Sequence, residues 1–363
     1  MDRHLFLGGN TSEGFFSFYN EAFSRSSDEH LYILKGGSGV GKSSFMKTVA
    51  GHYSKKGIAV EYYHCSSDPD SLDGIYLKEL KVGILDGTSP HIVDPKLPIA
   101  FDEIIDLANF IDKRKISKER EKIFKLIEEK QRLYAAAYNL LKAAFSVQRS
   151  GDELIVTHAD NVRRDRIINQ ITDGLKSKDT HFSPRMAFAC AYTSKGFISY
   201  ADSLFKDTKI IALRGSAVIS RKILAQIENH LNLKGLPHQN FYCPLFPREI
   251  EHIIVDDYSL SFVTLDECAG ANIVPYETID ISSIDCLDEH CAGFLRENSL
   301  IVDNILNEFY AMLKRCADIH ENIEEFYIDS MDFNEVDQKI DSTIASIEKY
   351  ARGVFTLTEN FSL

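Results

Sequence analysis

The chain has 363 residues, 44% of them hydrophobic and 26% charged, with a formal net charge of −13 at pH 7. That length exceeds what a single hydrophobic core usually organises and predicts two domains. The acidic balance excludes a general nucleic-acid binder, no apolar run is long enough for a transmembrane helix, and the opening MDRHLFLGGNTSEG has no signal-peptide core, so a cytoplasmic location is expected.

In chain order, Leu31–Leu34 is a short apolar run followed by glycine and predicts a buried strand. Ser43–Tyr53 predicts a helix with Phe45, Met46, Val49 and Ala50 on one stripe. Ile58–His64 predicts a second strand, Ser71–Leu80 a short helix, and Val82–Leu85 a third strand. Strands alternating with helices imply a parallel sheet covered on both sides. The charged run DKRKISKEREK (112–122) reads as a solvated helix start or an exposed connection. Apolar residues then recur at helical spacing from Leu126 and Ile127 to Ala144 and Phe145, again over Val162–Leu175, and again over Leu300–Ala317. These stripes are expected to be packing faces of helical hairpins, and Arg163, Arg164 and Arg166 to lie on a solvated helix face.

The segment KGGSGVGKSS (35–44) contains Gly36-x4-Gly41-Lys42-Ser43, the full phosphate-loop pattern, between a predicted strand and a predicted helix. A triphosphate needs several donors converging on its oxygens. Backbone amides supply them only where the chain curls tightly, which calls for glycines at positive φ. The following helix directs the positive end of its dipole at the same point. Gly36, Gly37, Ser38, Gly39, Val40, Gly41, Lys42, Ser43 and Ser44 are therefore the expected nucleotide-binding residues. Lys42 would reach the β- and γ-phosphates, and Ser43 would ligate Mg²⁺. The metal's carboxylate is expected from Asp86, which ends the run Val82–Leu85, with an ordinary strand-to-turn aspartate as the alternative. Asp68, Asp70 and Asp73 follow the second strand, on the side where ligands of parallel sheets bind. One of them, Asp68 or Asp70 above all, could orient the attacking water, or they could cap the predicted helix near Ser71. His91 reads as a γ-phosphate sensor or a turn histidine.

The chain also repeats itself. TSEGFFSF (11–18) matches TSKGFISY (193–200) at Thr11/Thr193, Ser12/Ser194, Gly14/Gly196, Phe15/Phe197 and Ser17/Ser199. LYILKG aligns with IIALRG, placing Gly36 opposite Gly215; Cys65 lies opposite Cys243, and Asp160 opposite Asp332. Two copies, 1–181 and 182–363, follow, with helical parts at about 101–175 and about 285–352. In the second copy Val218, Ser220, Arg221 and Lys222 stand opposite Gly39, Gly41, Lys42 and Ser43. The anion nest should not form there, and Arg221 or Arg214 is considered as an arginine finger for the first site. Seven cysteines without a CxxC pair read as free thiols, Cys286 and Cys291 being the one pair close enough in sequence to consider for a metal.

The series GNTSEGF, LYILKGGSGVGKSSFMK, HCSSDPDSLDG and VGILDGTSPHIVDPK resembles a family of bacterial tandem P-loop ATPases, in which two P-loop modules with helical insertions are fused. The resemblance spans nearly the whole chain, strongest over 1–100, and its motif carries over onto Lys42, Ser43 and Asp86. It implies an α/β fold built as a tandem duplication of P-loop NTPase-like modules with parallel sheets, each followed by a helical hairpin region. Family members often keep a GKS loop in the second copy, and this sequence departs there. The expected activity is Mg²⁺-dependent ATP binding and hydrolysis at the first loop. The alternatives are a kinase for a small-molecule acceptor, or an ATP-gated scaffold for a protein partner. ATP is preferred to GTP because no Asn/Thr-Lys-x-Asp motif is present.

Overall fold

The computed structural model describes residues 2–23, 29–98, 100–178, 182–270, 272–284 and 287–360. In chain order the strands and helices are β1 (Arg3–Leu5), β2 (Gly8–Thr11), β3 (Gly14–Ser17), β4 (His30–Lys35), α1 (Lys42–Ser54), β5 (Val60–His64), β6 (Leu72–Leu77), β7 (Val82–Asp86) and β8 (Asp102–Asp106). The long helix α2 (Lys113–His158) and α3 (Asn161–Thr172) follow. Next come β9 (Arg185–Ala187), β10 (Cys190–Thr193), β11 (Gly196–Ser199), α4 (Ala201–Phe205), β12 (Lys209–Arg214), α5 (Ala217–Leu233), β13 (His238–Tyr242), β14 (Ile250–Val255), β15 (Leu260–Thr264) and β16 (Glu277–Asp280). The chain ends in α6 (Glu289–Ile328) and α7 (Phe333–Asn360). The fold is mixed α/β with three sheets. No helix among the described residues is long and apolar enough to cross a membrane.

The chain forms two compact units whose borders fall inside β1, after Ala22, inside α2 and inside α6. The first consists of residues 1–3, 23–133 and 315–363; the second of 4–22 and 134–314. These units divide the chain differently from the sequence repeat at 181/182. The first unit takes its closing helices from the C-terminal half, and the second takes α3 and much of α2 from the N-terminal half.

In the first unit the sheet runs β1-β5-β6-β7-β4-β8. β4 is central and parallel to both β7 and β8, with Leu34 opposite Asp86 and Lys35 opposite Asp106. The segment expected as a helix over 71–80 is instead β6, antiparallel to both β5 and β7. The sheet is therefore mixed, not parallel as predicted. The reason is local. Leu72–Leu77 is buried at five of its six positions, more than one face of a short surface helix can bury. Gly74 also lets neighbours close in: a Cβ there would meet Leu85 Cδ2 at 2.4 Å and Tyr63 Cδ2 at 2.8 Å. The core joins Phe45, Met46, Val49 and Ala50 of α1 to sheet residues and to Val336, Ile340 and Ile347 of α7. Asp332 Oδ1 caps the start of α7 by accepting from the Asn334 amide at 3.0 Å, and the Asp332 amide donates to Phe110 O at 3.0 Å.

In the second unit a sheet runs β9-β13-β14-β15-β12-β16, the same order strand for strand. Its register repeats in detail: β5–β6 and β13–β14 each shift after the pair one residue from the strand end, at Tyr63/His64 and Phe241/Tyr242. Ile155, Ile168 and Leu175 from α2, α3 and the turn beyond pack in its core with Val218, Ile223 and Ile227 of α5. Asp160, the repeat mate of Asp332, caps α3 through the Arg163 amide at 3.0 Å, and its own amide donates to Ile284 O at 3.0 Å. The paired motifs TSEGFFSF and TSKGFISY form hairpins β2–β3 and β10–β11, joined in one antiparallel sheet through Tyr192 opposite Asn10. Thr11 and Thr193 each donate to the carbonyl of their turn glycine, Gly14 or Gly196, at 2.8 Å.

The expectation of free thiols fails at Cys190 and Cys268, which form a disulfide across 78 residues. Their Cα atoms lie 5.6 Å apart, within bonding reach. Cys286 lies outside the described residues, so its pairing with Cys291 is not described.

Candidate functional site

The phosphate-loop segment links β4 to α1 in the first unit. Gly36 (φ 140°), Gly39 (φ 74°) and Gly41 (φ 93°) lie in the region that disfavours side chains. Val40, between them, is fully buried and anchors the curl to the core. The helix opens directly at Lys42. Lys42 Nζ donates to Gly36 O at 2.9 Å and Gly37 O at 2.6 Å, and lies 3.6 Å from Asp86 Oδ2. Asp86 ends β7, the parallel neighbour of β4, and its Oδ1 accepts from the amide and hydroxyl of Thr88. Ser43 Oγ accepts from the Leu72 amide at 3.0 Å, which ties the loop to β6. Ser44 is exposed on the first turn of α1.

Beyond β5, Asp68 closes a turn by accepting from Ser71 Oγ at 2.7 Å, a role that replaces the expected helix cap. Its charge is felt by His320 and Glu324. Asp70 is exposed, and its amide donates to Asp68 Oδ1 at 3.3 Å. Asp73 is buried, and His91 Nε2 lies 3.2 Å from its Oδ2. Lys35 fixes the loop carrying His91: its Nζ donates to Gly87 O and Val93 O, both at 2.8 Å.

The residues that sequence reasoning missed come from the C-terminal half. The end of α6 lies against the loop. A Cβ on Gly37 would meet the Tyr327 ring at 2.8 Å, and one on Gly39 would meet Glu324 O at 2.7 Å. Burial raises the Glu324 carboxyl above its usual range, opposed by the Gly39 amide and by Lys42 and Lys130. His320 is pushed down to about 4, by burial first and then by Lys130 and Lys42. It is thus neutral at pH 7 and accepts from Lys130 Nζ at 3.0 Å. No spacing rule connects residues 36–43 with 320–327.

The second unit shows what the changed residues do. Gly215 keeps its positive φ (152°), but α5 begins at Ala217, so residues 217–220 are helical where 38–41 curl. Arg221 is buried. Its Nε donates to Glu249 Oε2 and its Nη2 to Asp152 Oδ2, both at 2.8 Å, while Nη1 lies 3.9 Å from Glu251. Burial opposes its charge, yet Glu251, Asp152 and Glu249 hold the proton firmly. A guanidinium committed to three carboxylates is not an available finger, so that expectation for Arg221 is corrected.

Compared with protein-family models, with curated proteins and with solved structures, the chain finds no match in any of the three. The functional reading therefore rests on the geometry of the site.

Proposed function

We propose that the chain is a P-loop nucleoside triphosphatase built as a tandem duplication, with its working loop in the first copy and a degenerate one in the second. More particularly, it is read as a Mg²⁺-dependent ATPase acting at Gly36–Ser43, in line with its resemblance to bacterial tandem P-loop ATPases. The observation that carries this reading is the loop itself. Gly36, Gly39 and Gly41 adopt left-handed backbone between a parallel strand and a helix start, and Lys42 Nζ stands 3.6 Å from Asp86.

The residues present suit the ligand. The glycine curl and the first amides of α1 offer donors to β- and γ-phosphate oxygens. Lys42 exchanges its bonds to Gly36 O and Gly37 O for phosphate oxygens. Ser43 and Asp86 would hold Mg²⁺, which supplies neutralisation of the charge developing on the phosphates. Water attacks the γ-phosphorus, the bond to the bridging oxygen breaks, and ADP and phosphate leave. Asp68, whose charge reaches His320 and Glu324 beside the loop, is the carboxylate assigned to orient that water. A scaffold reading with slow hydrolysis draws support from Glu324, an anion set beside the Gly39 amide that phosphate needs.

Calorimetry with Mg²⁺ and a non-hydrolysable ATP analogue tests binding. Lys42→Ala is expected to cost about 2–3 kcal/mol, roughly 30- to 150-fold in affinity. Uptake undiminished in that variant, or absent in the wild type, overturns the reading. Single-turnover hydrolysis without any acceptor then separates an ATPase from a kinase or a scaffold.

A further inference from the structure

We propose that Cys65, Asp73 and His91 form a three-ligand site for a borderline-soft divalent cation of the Zn²⁺ class, with water in the fourth position. The site uses neither of the residues proposed above to hold Mg²⁺, Ser43 and Asp86, and is expected to load without nucleotide.

Three elements converge on it. Cys65 directly follows β5, Asp73 is the second residue of β6, and His91 sits on the loop after β7. One ligand atom from each, sulfur, oxygen and nitrogen, lies within 4.8 Å of the other two. His91 Nε2 and Asp73 Oδ2 are 3.2 Å apart. A tetrahedral ion with bonds of about 2.0–2.3 Å sets its ligand atoms roughly 3.3–3.8 Å apart, so only a small closure is needed. The frame is already fixed. The Cys65 amide donates to Ser71 O at 3.0 Å, the His91 amide to Thr88 O at 2.7 Å, and Lys35 clamps the residues on either side of His91. Thiolate with imidazole selects against Mg²⁺ and Ca²⁺, and three protein ligands with one open position is the pattern of reactive zinc sites.

The second unit supplies an independent observation. The β13–β14 turn repeats the geometry: the Cys243 amide donates to Glu249 O at 2.9 Å, and Glu251 is the second residue of β14, as Asp73 is of β6. This second thiol–carboxylate pair has a cation built in, the Arg221 guanidinium, 3.9 Å from Glu251. In the first unit Lys42 takes the sequence place of Arg221, and its ammonium is directed at Gly36 O, Gly37 O and Asp86. One pair is thus served by a fixed guanidinium and the other, on this proposal, by an exchangeable metal ion. Binding replaces the Cys65 S–H bond with a sulfur–metal bond and releases that proton to solvent.

The test is titration of the full-length protein with Co²⁺ alone, without nucleotide and without oxygen. One equivalent is expected to give tetrahedral d–d bands and a thiolate-to-cobalt charge-transfer band, both displaced by Zn²⁺. Cys65→Ser should lose the charge-transfer band. His91→Gln, a loop change, should weaken uptake about tenfold or more, and Lys42→Ala should leave it intact even where ATP binding is lost. A folded wild-type protein without the charge-transfer band overturns the proposal and leaves Asp73–His91 as a plain ion pair. A band that survives in Cys65→Ser overturns it too, by assigning the metal to another thiol.

Discussion

Replacing Glu324 by Gln should tighten nucleotide binding, although Glu324 lies almost three hundred residues from the loop in sequence. The backbone of Glu324 is pressed on Gly39, and its carboxylate is influenced by the Gly39 amide and by Lys42. If the loop binds nucleotide as proposed, both groups are needed by the incoming phosphates, so a carboxylate there would compete with the ligand and repel it. Two unit charges about 4 Å apart interact by about 1 kcal/mol in water and about 4 kcal/mol near a protein surface. The Glu324 side chain is 36% exposed, which favours the lower figure. Glu324→Gln keeps the shape and removes the charge, so a gain of about 1 kcal/mol, roughly fivefold in Kd, is expected. The gain should shrink as salt is raised. It should also vanish as pH falls through the raised Glu324 pKa, because the wild-type carboxyl is then neutral as well. Calorimetric titration of both proteins with the same Mg²⁺–ATP analogue, across salt and pH, checks this. Equal or weaker binding by Glu324→Gln at neutral pH and low salt would refute the competition argument.

Three further outcomes follow from the second unit. Arg221→Leu strands Asp152, Glu249 and Glu251 around an apolar side chain and should cost about 3–5 kcal/mol, read as a lower urea midpoint; an unchanged midpoint would show that the network is not needed for stability. His252 is fully buried and pushed down to about 4, by desolvation first. A folded pKa below the unfolded value means that the unfolded chain binds the extra proton, so stability is lost as pH falls from about 6.5 towards about 4, by about 3 kcal/mol in total. His252→Gln should flatten that slope in urea melts. Opening the Cys190–Cys268 bond, which closes a span of 78 residues, should cost about 4 kcal/mol by the loop-entropy argument. A melting temperature indifferent to reductant and to Cys190→Ala would contradict it.

Much of the first sheet was legible because its signals are local. The apolar run ending in glycine marked β4, the stripe Phe45–Ala50 marked α1, and Val82–Leu85 marked β7 to within a residue. β6 was not, because Leu72–Leu77 has neither strict alternation nor a long apolar run; its identity comes from strands on both sides of it. The loop residues stand out because the phosphate-loop pattern has a fixed spacing, and Asp86 because it ends the apolar run Val82–Leu85. Asp73 and His91 each stand out singly in the sequence, but their pairing depends on a sheet register and a loop clamp by Lys35 that no motif encodes. The disulfide joins a strand to a short turn far along the chain, and spacing alone cannot choose such a pair among seven cysteines.

The repeat explains both the success and the failure over Glu324. Internal similarity says which residues are alike; it does not say which residues touch. Asp160 and Asp332 are alike, and each caps a helix start, but each donates its amide to the half of the chain it does not belong to, Ile284 for one and Phe110 for the other. Helix α7 thus packs on the first sheet, and the end of α2 with α3 packs on the second. A loop at residues 36–43 is consequently roofed by residues 320–327, and Gly37 and Gly39 answer to two demands at once. On the proposed function they must admit phosphate, and they must also leave room for Tyr327 and Glu324. In the second half, where Arg221 is held by Asp152 and Glu249, the proposal asks for no phosphate cradle, and the chain there enters its helix two residues after Gly215.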